Sequence, residues 1–160
     1  MYAQRMVARL GTAAAASLAL VGVLAGQSSA TSDTIDGWNT NSSPVRCGTT
    51  SPYFFCLYYS PGAEGAAWKS KSTAVRNLSG ATFSSDGHGS AGAGQAVRNN
   101  AASAENASSA CNVGIWYSQD FQGNSNWLSP GKGGNLKDYL RNDEASIAIS
   151  DHTRCPGVGH

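Results

Sequence analysis

Apolar positions come in short bursts through most of the chain, each set off by turn-forming residues. Tyr53 to Tyr59, Ala81 to Phe83, Val113 to Tyr117 and Ser146 to Ser150 are brief segments rich in aromatic or β-branched residues, a composition that suits half-buried strands. Pro61-Gly62, Asp86-Gly87, Pro130-Gly131 and Gly133-Gly134 punctuate them at intervals that suit hairpins. The Ala-rich stretch from Ala91 to Ala110 has partly helical composition. Gly92, Gly94, Asn99, Asn100 and the serines at 103, 108 and 109 argue against a helix there. The pattern predicts an all-β fold.

The beginning of the chain has a different character. Arg5 and Arg9 stand in a segment with no acid, Leu10 to Leu24 is an apolar run of Ala and Leu, and Ser28-Ser29-Ala30 offers small residues for cleavage. That order reads as a secretory signal peptide over residues 1–30. The run is short for a membrane span, so the expectation is a secreted, extracellular protein with no membrane partner after cleavage. Residues 31–44 are Ser, Thr and Asn with only Ile35 and Trp38 to bury, which predicts a flexible lead-in to one domain over residues 45–160.

At 160 residues the chain has room for a single modest domain. Beyond the signal segment it carries nine basic and ten acidic side chains. Its lysines and arginines are scattered, without the clustered patch that a phosphate backbone requires, so nucleic acid is excluded as a partner. A monomer is expected.

Cys47, Cys56, Cys111 and Cys155 are the four cysteines. An even number in an exported chain points to two disulfides. Of the three connectivities available, chain proximity favours Cys47 with Cys56, which leaves Cys111 with Cys155. No Cys-x-x-Cys pair occurs, and His88, His152 and His160 lack zinc-ligand spacing.

An internal repeat refines the fold. Tyr59-Ser60-Pro61-Gly62-Ala63-Glu64-Gly65 matches Tyr117-Ser118-Gln119-Asp120-Phe121-Gln122-Gly123, aromatic first and Gly six residues later. Asn99-Asn100-Ala101-Ala102-Ser103 matches Asn142-Asp143-Glu144-Ala145-Ser146. The first kind of segment suits a β-hairpin folded back on itself, and the second a turn held by side-chain hydrogen bonds. Two such halves make a pair of Greek keys packed as a sandwich.

These residues resemble the βγ-crystallin Greek-key signature, most clearly from Gly114 to Ile149. Together with the signal segment, the Cys-flanked Phe55-Cys56-Leu57-Tyr58-Tyr59, the run from Val97 to Asn106, and Val113-Gly114-Ile115-Trp116-Tyr117, they resemble the Streptomyces metalloproteinase inhibitor family. The resemblance spans Cys47 to Cys155. It departs from the pattern at Ala63, where an aromatic is expected, and in the Gly/Ala/Ser insertion from Ser84 to Gly94. It implies a secreted, disulfide-bonded, βγ-crystallin-like inhibitor of an extracellular proteinase, with its contact segment at the junction of the halves: Ser109, Ala110, Cys111, Asn112 and Val113. It also nominates Asn100, Ser103, Asp143 and Ser146 as a weak calcium site, the one cofactor in view.

Catalysis is not expected. No Gly-x-Ser-x-Gly elbow occurs, and His88 stands between glycines. Asp143-Glu144 is an adjacent pair whose members would point to opposite faces of a strand. The alternative to inhibition is a secreted crystallin-type binding module, for calcium or a cell-surface glycan. Asn106-Ala107-Ser108 also matches a glycosylation acceptor.

Overall fold

The computed structural model describes residues 29–40, 47, 54–85, 89–150 and 155. The signal segment up to residue 28, Val45, Asp86-Gly87, His88, His152 and His160 lie outside the described residues.

Among the described residues the fold is all-β and built from two five-stranded sheets. The first half supplies β3 (Phe55–Ser60), β4 (Glu64–Ser70), β5 (Ala74–Val75) and β6 (Ser103–Asn106). The second supplies β7 (Asn112–Ser118), β8 (Gln122–Leu128), β9 (Lys132–Asn135) and β10 (Ser146–Ser150). In each half the first two strands form a hairpin and the fourth returns beside the first, so that β6 pairs with β3 and β10 with β7. The third strand crosses over: β5 pairs with β10, and β9 with β6. Each sheet therefore contains three strands of one half and one of the other, and neither Greek key is complete alone.

The repeat noted in the sequence forms the two folded hairpins. Gly62 and Ala63 take φ of 73° and 59°, and their counterparts Asp120 and Phe121 take 55° and 63°. Three of these four are not glycine, so the left-handed turns need outside support. One serine gives it in each half. The Ser103 hydroxyl accepts the Ala63 N–H (3.0 Å) and donates to the Ser60 carbonyl (2.7 Å). The Ser146 hydroxyl accepts the Phe121 N–H (3.1 Å) and donates to the Ser118 carbonyl (2.6 Å).

Phe55, Leu57, Leu78, Ile115, Leu128, Leu140, Ile147 and Ile149 fill the space between the sheets. A satellite cluster packs Trp116 edge-on against both Phe121 and Trp127, with ring centroids 5.2 Å apart in each pair. Both disulfides pair as chain proximity suggests, Cys47 with Cys56 and Cys111 with Cys155.

Residues 31–40 are not a loose lead-in. They form β1 (Ser32–Thr34), parallel to β8 at the edge of one sheet, and β2 (Trp38–Asn39), antiparallel to β9 at the edge of the other. The Tyr139 hydroxyl donates to Asp33 (2.7 Å), the Ser129 N–H donates to Asp36 (2.9 Å), and Ile35 is buried. Burial and the adjacent Asp33 push the Tyr139 phenol up to about 12. Gly133-Gly134, expected as a turn, lies inside β9. A Cβ on Gly134 would collide with the Ile35 carbonyl, and one on Gly133 with the Trp38 indole. These glycines clear the seat that the N-terminal segment occupies.

Two further expectations shift. Ala81 to Phe83 contributes only an isolated bridge, Thr82 with Ala96, because the insertion folds back there. The insertion is anchored to the first hairpin: the Ala66 N–H donates to the Ala91 carbonyl (2.9 Å), and Gly92 lies under the Tyr59 ring where a Cβ would not fit. Among the described residues no helix is long and apolar enough to cross a membrane.

Candidate functional site

The junction between the halves runs from the end of β6 to the start of β7, and one side chain organises it. Asn106 is fully buried. Its Nδ2 donates to the carbonyls of Cys111 (2.7 Å), Leu128 (3.1 Å) and Ser129 (3.1 Å), and its Oδ1 accepts the Ser108 N–H (2.8 Å). The Ser108 hydroxyl then accepts the N–H groups of Ala110 (3.2 Å) and Cys111 (2.8 Å), and its carbonyl accepts the Gly131 N–H (3.0 Å). The disulfide to Cys155 pins the far end. Ser109, Ala110 and Asn112 project into solvent from this frame, while Cys111 is half-buried.

Val113 does not belong to the presented surface. It lies fully buried in the core, paired with Leu128 on one side and Ile149 on the other. The alternation of a strand that exposes Asn112 must turn Val113 inward. The Asn106 glycosylation reading also fails, because an amide buried among three carbonyls is not available for modification.

The four residues nominated for calcium do not converge. Ser103 and Ser146 are buried, with their hydroxyls committed to the hairpins. Asn100 and Asp143 line two separate clefts related by the internal repeat. Asp143 shares one with Arg98, Asn99, Tyr117 and Gln119; Asn100 shares the other with Arg141, Asn142, Tyr59 and Pro61. Each cleft already contains a guanidinium, which opposes a divalent cation. Among the described residues no cluster of three His, Cys, Asp or Glu side chains could hold a metal ion.

Two buried acids escape a reading of the sequence, since nothing local marks them. Glu105 accepts the Trp38 indole N–H (2.9 Å), the Cys47 N–H (3.0 Å) and the Tyr58 hydroxyl (2.8 Å), and so joins the N-terminal segment to the first disulfide. Glu144 receives the N–H groups of Asn100 (3.1 Å) and Ala101 (2.8 Å) on one oxygen and has no partner on the other among the described residues. Burial raises its carboxyl to about 7, against the backbone N–H groups that favour the charged form. Glu144 is thus a tie between the halves, and Asp143 is exposed, so the pair has no acid/base geometry.

No family model matches the chain, and no curated protein matches it. Two solved structures align with part of the chain. One, from work on the evolution of the eye lens βγ-crystallin domain fold, is 16% identical, covers 61% of this chain and 84% of its own, and superposes with a TM-score of 0.47. The other, a βγ-crystallin domain from Flavobacterium johnsoniae, is 12% identical, covers 62% of this chain and 97% of its own, with a TM-score of 0.44. The strand exchange and the serine-held hairpins define the class as a sandwich of two interlocked Greek keys with two disulfides.

Proposed function

We propose that the protein is an exported inhibitor of an extracellular proteinase, in particular a metalloproteinase, that occludes the active-site cleft and does no chemistry of its own. The observation that supports this reading is the order of the loop at the junction. Its exposed residues, Ser109, Ala110 and Asn112, stand on a frame of Asn106, Ser108 and the Cys111–Cys155 disulfide. A loop already ordered in the free protein loses little conformational freedom on binding, so most of its contact energy becomes affinity. A connector that only had to span the halves would not need a buried amide spending four hydrogen bonds on its course. The metalloproteinase target follows from the family resemblance of the sequence. Titrating the mature chain against a panel of metallo- and serine proteinases tests the reading: loss of activity at one equivalent supports it, and undiminished activity across the panel refutes it.

A further inference from the structure

The two repeat-related clefts differ in one respect that the rest of the molecule does not explain. In the first, the Arg98 guanidinium is held from within: the Gln119 amide oxygen, turned toward it, accepts Nη1 at 2.8 Å and Nη2 at 3.3 Å. Asp143 adds a carboxylate to the same cleft. In the second, the repeat places Arg141 where the first has Arg98, yet Pro61 replaces Gln119 and Asn100 replaces Asp143. The second cleft thus lacks both the amide acceptor that Gln119 offers and the carboxylate of Asp143. Arg141 Nε is buried and has no acceptor among the described residues.

The backbone of the two clefts is otherwise alike. Asn99 and Asn142, each following its arginine, take left-handed φ of 63° and 61°. Ser60 and Ser118, each preceding the Pro61 or Gln119 position, give their carbonyls to the hairpin serines. The Arg98 cleft therefore serves as an internal control, showing what a guanidinium at this place takes when an acceptor is within reach.

We propose that the Arg141 cleft, about 370 Å³ in volume, is a binding site for a carboxylate, whose oxygens take the place that the Gln119 amide oxygen fills in the twin cleft. The planar oxygen that serves Arg98 has its counterpart in a carboxylate, and a guanidinium receives a carboxylate through paired, charge-assisted hydrogen bonds. The carboxylate comes from a small organic acid or from an acidic side chain or chain end of a partner protein. The site shares no residue with the loop proposed to meet a proteinase and does not depend on that reading.

The test is a titration of the isotope-labelled mature chain, following the arginine Nε–H resonances, with acetate, inorganic phosphate and the neutral isostere acetamide as probes. Acetate is expected to shift the Arg141 resonance saturably, with a dissociation constant on the order of 10 mM for a partly exposed pair, and to leave Arg98 in place. Pro61→Gln, which copies the twin cleft, is expected to abolish the response with the remaining spectrum unchanged. Arg141→Lys, which keeps the charge but not the fork, weakens it. The proposal is overturned by a lack of saturation, by equal shifts at both arginines, by an equal response to acetamide, by tighter binding of phosphate than of acetate, or by a response that survives in a folded Pro61→Gln chain. An acetylated acidic peptide in place of acetate then separates the sources: tighter binding of the peptide points to a protein partner, and equal binding to a small acid.

Discussion

The Asn106 side-chain nitrogen donates to the Cys111 carbonyl at 2.7 Å. A buried amide in the last strand of the first half thus fixes the residue that begins the second half. Because the same amide reaches the Leu128 and Ser129 carbonyls, the loop between the halves is tied to the end of the second hairpin as well as to the first half. Removing the amide leaves three carbonyls and the Ser108 N–H without their partner.

Replacing Asn106 by Ala should therefore loosen the loop more than it unfolds the domain. A loss of about 2–3 kcal/mol is expected in chemical denaturation, together with faster hydrogen exchange at Ser108, Ala110 and Cys111. Unchanged exchange at these amides would show that the disulfide alone orders the loop.

Replacing Ser146 by Ala removes both supports of the second folded hairpin and leaves the Phe121 N–H buried without an acceptor. The expected cost is about 2 kcal/mol, and Ser103→Ala in the first hairpin should cost a similar amount. Denaturant midpoints of the two variants check this. Since these hydroxyls are not free for metal, millimolar calcium should raise the Tm of the parent chain by no more than about 2 °C.

Glu144 makes stability depend on pH. Its folded carboxyl titrates at about 7, above the ordinary value of 4.5, so the protonated form is favoured by folding. Its contribution is complete below about pH 4.5 and is lost as pH rises through about 7, a change on the order of 3 kcal/mol. Glu144→Gln keeps an acceptor for the Asn100 and Ala101 N–H groups and cannot ionise. The variant should lose this pH dependence and be more stable than the parent at pH 8, as denaturation at a series of pH values would reveal.

Trp38 tests the role of the N-terminal segment. Its indole covers Gly133 and donates to Glu105, so Trp38→Ala is expected to cost about 2–4 kcal/mol and to open residues 31–40 to limited proteolysis. A segment serving only as a lead-in would show neither effect.

What the sequence makes legible depends on whether a residue's fate is decided locally. Val113 to Tyr117 and Ser146 to Ser150 read as strands because aromatic and β-branched side chains carry the signal themselves, and β7 and β10 match them closely. The hairpins read through their repeat, and Cys47–Cys56 through its short spacing. β8 and β9, with sequences QGNSNWL and KGGN, gave no such signal: Asn126 is fully buried only because Tyr139, Lys137 and Ser125 satisfy its amide. Trp38 could not be placed from the sequence because its partners lie 67 and 95 residues away, at Glu105 and Gly133. The resemblance nominates the segment from Ser109 to Val113, but the burial of Val113 and the role of Asn106 follow from pairings that only the folded sheets create.

The most direct measurement of the central claim is a residual-activity titration of an extracellular metalloproteinase, run in parallel with the parent chain and with a folded variant carrying Gly at both Ser109 and Ala110. The account predicts that the parent brings activity linearly to zero at one equivalent and that the variant, with a softened loop, inhibits at least about tenfold more weakly. A parent chain that leaves activity untouched at many equivalents, or a variant that inhibits as well as the parent, would contradict it.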